Sequence, residues 1–243
     1  MAEKVVALFR RFARAQSEHV EAPLAEDEYY QRFIAEPSFG AVFIARDETA
    51  HLLGISRHLR ALPASNTPEF RYAGSLGPVA FGEPLQTEIE RLGNVLAKQF
   101  QLRGWFGIDF ILDQNEQLWV LEVNPRYTAS VEVLERAANV SSASLHLQAC
   151  VGEPLAEDIL ALFRGKLPWV GKSILYAQHS THATPEAWLQ RSISRHDLAD
   201  IPAYNTQSKA GDPLLTIFAT GESEQEVLLA LQAKAHELSN PPE

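Results

Sequence analysis

The chain has 243 residues, 46% of them hydrophobic, and a formal net charge of −10. That length supports a sizeable core in one large domain or two small ones, and the acidity argues against a surface built to bind a phosphate backbone. One cysteine, Cys150, excludes an intrachain disulfide and a cysteine metal cage, and its setting in LHLQAC predicts a buried helix position.

Residues 3–16, EKVVALFRRFARAQ, place Val5, Leu8, Phe9 and Phe12 on a helical stripe, while a strand through KVVALF fits nearly as well. Lys4, Arg10, Arg11 and Arg14 are the lysines and arginines ahead of Glu28, and they could grip a small anion. After a polar break at Pro23–Asp27, strands are predicted over 28–35, 39–46 and 51–58, with turns at Glu36-Pro37-Ser38 and Asp47–Ala50. His58 and Arg60 end the third strand and Arg71 follows the next loop. Tyr72–Pro78, YAGSLGP, reads as a glycine-bearing loop. Ile89, Leu92, Leu96 and Phe100 make the buried stripe of a helix over Pro84–Phe100, with Glu88 and Glu90 favouring its N-terminus.

Residues 104–130, GWFGIDFILDQNEQLWVLEVNPRYTAS, read as two strands and a turn. In the first, Trp105, Gly107, Asp109, Ile111 and Asp113 alternate with Phe106, Ile108, Phe110 and Leu112. In the second, Leu118, Val120, Glu122 and Asn124 alternate with Trp119, Leu121 and Val123. Gln114–Gln117 is a polar loop of common hairpin length. If Asp113 faces Leu118, then Asp109 faces Glu122, Gly107 faces Asn124 and Trp105 faces Arg126. Two opposed carboxylates repel. A hard cation held by oxygen ligands, such as Mg²⁺ with substrate phosphates, removes that repulsion. Gly107 is expected to leave open space beside Asn124.

An Asp thirteen positions ahead of Glu-x-Asn-Pro-Arg resembles the metal-binding hairpin of the ATP-grasp superfamily, closest in pattern to its predicted ATP-dependent carboligases of carboxylate–amine ligase type. The resemblance implies Mg²⁺ ligation by Asp109, Glu122 and Asn124, and contact of Arg126 with phosphate or an acyl phosphate. It makes the first predicted strand a hinge strand whose Gln31, Arg32, Phe33 and Ile34 line an adenine site. It also places a lysine strand and a glycine-rich phosphate loop near the N-terminus. No glycine occurs before Gly40, so that loop is expected to be absent or altered, since glycine supplies the close approach and positive φ a phosphate cradle needs.

Further along, Thr128 or Ser130 is expected to cap a helix over Val131–Ala138, followed by a helix over Ser141–Val151 and a short one over Asp158–Phe163. A helix N-terminus just past Arg126 would aim amide dipoles at an anion near the metals. Lys172–Gln178 and Leu214–Ala219 read as strands. Glu222–Leu238 reads as a helix burying Val227, Leu231 and Leu238, with Ser223 and Glu226 at capping-box spacing. The segment DIPAYNTQSKAGDPLLTIFATG resembles the C-terminal strand layer of carboxylase-like members of the superfamily. His179 and His182 have no third ligand with a definable position, so a surface loop is expected there rather than zinc.

The expected fold class is α+β: an ATP-grasp-like mixed β-sheet with flanking helices and a smaller C-terminal α/β layer. Residues 1–152 form a partial ATP-grasp domain, the nucleotide- and Mg²⁺-binding half, and 153–243 a carboxylase-like layer packed on it. The first functional reading is an ATP-dependent ligase forming carbon–nitrogen bonds. It activates a small-molecule carboxylate as an acyl phosphate for attack by an amine or other nucleophile, with Arg126 and Arg60 stabilising the transferred phosphoryl group. The second is a non-catalytic or split ATP-grasp-like subunit that binds nucleotide or a partner chain supplying a missing N-terminal domain. With no signal peptide and no apolar stretch of membrane length, a cytoplasmic protein is expected.

Overall fold

The computed structural model describes residues 34–68, 71–180, 186–203 and 206–239. The expectations for Lys4, Arg10, Arg11 and Arg14, for the strand over 28–33 with Gln31, Arg32 and Phe33, and for His182 lie outside the described residues. Ile34 and Ala35, the end of that predicted strand, are not in a strand.

Strands β1 (Ser38–Arg46) and β2 (Thr49–His58) form a hairpin. Its turn is two residues, Asp47 and Glu48, both at positive φ (49° and 63°), the geometry that matches strand twist. β1 also pairs with β4 (Gly104–Leu112), which pairs with β5 (Leu118–Asn124). On the other side β2 pairs with β3 (Gly74–Gly77), then come β6 (Trp169–Tyr176), β8 (Pro213–Gly221) and β7 (Leu198–Ala199). The result is one eight-stranded sheet in the order β5-β4-β1-β2-β3-β6-β8-β7. Its described pairings are all antiparallel, and the α+β class is as expected.

β3 is the element that the sequence disguises as a loop. All four of its residues are buried. A Cβ on Gly74 would run into the Lys172 carbonyl, and one on Gly77 would lie 3.0 Å from the Ile55 carbonyl. The glycines mark close backbone approach within a sheet rather than a turn. β3 is the link through which β6, β8 and β7 continue the sheet.

One face of the sheet is covered by α1 (Glu83–Phe100) and α6 (Glu224–Ser239). α1 packs on Phe39, Phe43, Phe106, Ile108 and Phe110, and Gly93 lets it settle on the Phe43 ring. α6 packs Val227, Leu231 and Leu238 against Leu76, Leu215 and Ile217. Its capping box is half realised: Ser223 Oγ accepts from Glu226 N at 3.2 Å, while the Glu226 carboxylate reaches back to Glu222 N at 2.9 Å. The other face carries α2 (Ala129–Ala138), α3 (Ala143–Val151) and α4 (Glu157–Phe163). Here Val131, Leu134, Leu145 and Leu160 bury against Val42, Ile44 and Leu53.

α5 (Glu186–Arg195) was not foreseen. Arg191 and Lys234 both bond the Asp197 carboxylate, at 2.9 Å each, and tie α5, β7 and α6 together. Burial alone would raise the Asp197 carboxyl, but these bonds hold it down at about 2. Cys150 is exposed, with Sγ 3.8 Å from the His146 ring, because it falls on the outer side of α3 beside Val151 and Leu147 rather than on the inner side with Leu145 and Ala149. Among the described residues no helix is long and apolar enough to cross a membrane.

Candidate metal and nucleotide site

The hairpin β4–β5 brings its two carboxylates together by a route different from the one the pattern suggests. Asp113 belongs to the loop: its Oδ1 accepts Asn115 N at 2.9 Å and Gln117 N at 3.0 Å, and its Oδ2 accepts Trp119 Nε1 at 3.0 Å. Leu112 therefore pairs with Leu118, one residue out of the expected register. Leu118 and Val120 consequently lie with Leu112 and Phe110, not on the Asp109 face. A bulge opposite Asp109 and Phe110, which leaves Leu121 as the extra residue, then restores the pairing: Asp109 opposes Glu122 and Gly107 opposes Asn124. The ladder stops there. Pro125 offers no N–H and Arg126 N bonds back to Asn124 O at 2.8 Å, so Trp105 does not pair with Arg126. Trp105 instead stacks on His146 at 4.2 Å and donates Nε1 to Ser142 Oγ at 2.8 Å.

Asn124 Nδ2 stands between the two acids, 2.7 Å from Glu122 Oε1 and 3.4 Å from Asp109 Oδ2. Its Oδ1 accepts from Arg126 at 3.3 Å. The amide is thus the positive partner of an otherwise repulsive pair. Which end of an amide faces which neighbour is assigned from hydrogen bonds; turned over, the same group presents Oδ1 beside two carboxylates, an all-oxygen set suited to a hard cation. Two acids and an amide oxygen fit Mg²⁺ completed by water and phosphate. Among the described residues no group of three or more His, Cys, Asp or Glu side chains is arranged for a metal. Burial, then the hydrogen bond and charge of Glu122, raise the Asp109 carboxyl to about 7 against the opposing pull of Arg126.

α2 closes over this pair because two glycines admit it. A Cβ on Gly107 would meet Thr128 Cγ2 at 2.9 Å, so the space expected to be open is filled by Thr128. Thr128 holds the N-cap position in extended conformation without a side-chain cap bond. A Cβ on Gly40, the β1 partner of Asp109, would meet Ser130 Oγ at 2.9 Å, His58 Nε2 at 3.1 Å and Asp109 Oδ1 at 3.2 Å. Three polar side chains therefore converge above one glycine. His58 Nε2 lies 3.7 Å from Asp109 Oδ1, and its Nδ1 is 3.2 Å from Ser38 Oγ. Burial lowers the His58 pKa while Glu122 pulls it up.

The other predicted residues fall differently. Arg126 is exposed and reaches the site through Asn124. Arg60 is exposed just beyond the end of β2, with no hydrogen bond or ion pair to a described residue. Ile34 lines a cavity of about 280 Å³ with Ala35, Glu36, Asp113, Gln114, Asn115 and Trp119, at the turn end of the hairpin. Sequence reasoning missed Ser38, Gly40 and Tyr72 at this site. Tyr72, edge-on to His58 with ring centres 6.0 Å apart, lies inside the segment Tyr72–Pro78 that reads as a loop and carries no signal of its own. His179 is exposed, as expected.

The family model described as an ATP-grasp domain matches residues 6–130, just over half of the chain. The carbamoyl phosphate synthase large chain of Lachnoclostridium phytofermentans is 37% identical over 62 residues, which cover 26% of this chain and 6% of that one. Among solved structures, an L-amino acid ligase from Bacillus licheniformis superposes with a TM-score of 0.64 at 15% identity, over 84% of this chain and 53% of its own. N5-carboxyaminoimidazole synthetase from Staphylococcus aureus, complexed with ADP, gives 0.60 at 13% identity, over 86% and 52%. These structural likenesses establish the fold, and the chain spans about half the length of the structures it matches.

Proposed function

The chain belongs to the ATP-grasp family, and on that premise we propose that it acts as an ATP-dependent ligase. It activates a carboxylate as an acyl phosphate for capture by an amine or other nucleophile. The observation that carries this reading is the Asp109–Glu122 pair bridged by the Asn124 amide, inside the segment that the family match covers. Asp109, Glu122 and Asn124 hold Mg²⁺ in this reading, with residues 1–152 as the nucleotide- and Mg²⁺-binding half and 153–243 as the layer beside it. When bound, Mg²⁺ supplies neutralisation of charge on the β- and γ-phosphate oxygens. Arg126, exposed next to Asn124, orients the transferring phosphoryl group with its fork of donors. The N-terminus of α2, seated by Gly40 and Gly107, adds backbone N–H groups on the anion's side. Arg60 and Ile34, with Gln31, Arg32 and Phe33, remain proposed contacts to phosphate and adenine. The ADP named in the Staphylococcus aureus structure supports the nucleotide in this reading.

The test is a release assay for ADP or phosphate with Mg²⁺ and ATP over small carboxylates and amines. Release that depends on both an acid and an amine is expected. A second reading, a split or non-catalytic subunit, is favoured by the lack of any glycine before Gly40, the residue a phosphate cradle uses for close approach. It predicts nucleotide binding without turnover until a partner chain is supplied.

A further inference from the structure

Lys172 is a charge that the nucleotide reading does not use. It sits in β6 with its side chain only 7% exposed. Its ammonium has one hydrogen-bond partner among the described residues, Glu132 Oε2 at 3.1 Å. An ammonium carries three donors, so two are unmatched in a largely dehydrated setting, and such burial is costly. Glu132 is itself shared. Arg136, one turn on in α2, approaches Glu132 Oε1 at 3.5 Å. The Arg136 guanidinium lies 3.6 Å over the Phe218 ring and donates to His196 O at 3.0 Å, which fixes it in place. Two cations therefore converge on one carboxylate and leave a surplus positive charge.

This centre shares a face with the carboxylate pair. Lys172, Ser75 and His58 form a single cross-strand row over β6, β3 and β2. At one end of the row His58 faces Asp109. In the middle Tyr72 stands edge-on to His58, ring centres 6.0 Å apart, with its hydroxyl 2.6 Å from Ser75 Oγ. Tyr72 is within electrostatic reach of both Asp109 and Glu132. The row is a polar path, while the other face of the sheet carries the clusters around Phe43 and around Leu76. β1, β2 and β3 separate β4 from β6, so their backbones stand about 19 Å apart at about 4.8 Å per strand.

We propose that Lys172, with Arg136, forms an anion subsite for a second carboxylate on the acid activated beside Asp109 and Glu122, which makes the substrate class small dicarboxylic acids. The proposal rests on the reading that an acid is activated at that pair. Glu132 holds the two cations in place and weakens the subsite by partly neutralising them.

Calorimetric titration with Mg²⁺ and without nucleotide tests it, using succinate, glutarate and adipate, each against the monocarboxylate of equal length (butyrate, pentanoate and hexanoate). At least one diacid should bind tenfold or more tightly than its monoacid. Lys172→Met, which keeps length and apolar volume, should abolish the preference, and Glu132→Gln should enlarge it several-fold. The opposite signs separate recognition from packing, because a purely structural ion pair would weaken binding in both variants or in neither. Equal binding of diacids and monoacids, no binding of either, or a preference that survives Lys172→Met overturns the proposal. Should Lys172→Met not fold, an unchanged or reduced preference in Glu132→Gln overturns it equally. Titration of the wild type with ATP and Mg²⁺ reports separately on the nucleotide reading: diacid preference without Mg²⁺-dependent ATP binding sinks that reading, and the converse result sinks this subsite alone.

Discussion

Asp109 and Glu122 oppose each other across β4 and β5 because the bulge at Leu121 cancels a one-residue slip set by the Asp113 loop. The fold thus holds two acids in register at a place where their repulsion opposes folding. Glu122→Gln keeps an oxygen for Asn124 Nδ2 and removes one charge. The metal-free variant should be as stable as the wild type or more so, by up to about 1 kcal/mol. Chemical denaturation checks this, and a loss of more than about 1 kcal/mol would mean the pair is attractive as it stands.

The same pair sets a pH dependence in the metal-free protein. Burial and Glu122 raise the Asp109 carboxyl to about 7, above its ordinary value near 3.9. A carboxyl raised on folding favours the fold while protonated. Its contribution is complete below about pH 4 and disappears as pH rises through about 7. Relative to Asp109→Asn, the wild type should lose on the order of 2 kcal/mol between pH 5 and pH 8, allowing for the residual solvent exposure of the group. Denaturation of both proteins at the two pH values measures the difference, and parallel profiles would contradict it.

Gly40 should be intolerant for a functional reason rather than a folding one. Its backbone is not in the left-handed region, and the atoms that a new Cβ would crowd are side-chain tips: Ser130 Oγ, His58 Nε2 and Asp109 Oδ1. Gly40→Ala should therefore cost less than about 1.5 kcal/mol of stability while weakening Mg²⁺-dependent nucleotide binding at least tenfold. Parallel denaturation and titration decide it; a variant that binds normally would show that the convergence above Gly40 is incidental.

Asp113 ties the hairpin turn through three hydrogen bonds from Asn115, Gln117 and Trp119. Asp113→Ala should cost about 1–3 kcal/mol and shift Trp119 fluorescence as its indole N–H loses its acceptor. An unchanged spectrum and stability would mean the loop is held by other contacts.

Much of this was legible in the chain. The alternation around Asp109 and Phe110 follows from strand periodicity, because one face buries aromatic rings under α1 and the other carries the acids. The α1 stripe is likewise plain. Local signals failed where tertiary contact decides. The bulge at Leu121 leaves no mark in a pattern that looks continuous from Leu118 to Asn124, and the expected pairings of Asp109 with Glu122 and of Gly107 with Asn124 hold only because two deviations cancel. β3 was hidden because Gly74 and Gly77, which read as turn residues, are there to admit the Lys172 and Ile55 carbonyls. Lys172 offered a signal of its own, the one charged residue of its strand, but its partner Glu132 is forty residues away and nothing in the sequence joins them.

The central claim is that Asp109, Glu122 and Asn124 hold a metal-bound nucleotide. The N-terminal segment contains no glycine before Gly40, so the affinity of this chain alone should be weak, near the millimolar range that corresponds to about −4 kcal/mol. Calorimetric titration with ATP, with and without Mg²⁺, on the wild type and Glu122→Gln tests the claim most directly. The account predicts weak binding that requires Mg²⁺ and vanishes in Glu122→Gln; binding that ignores Mg²⁺, or that persists unchanged in Glu122→Gln, would contradict it.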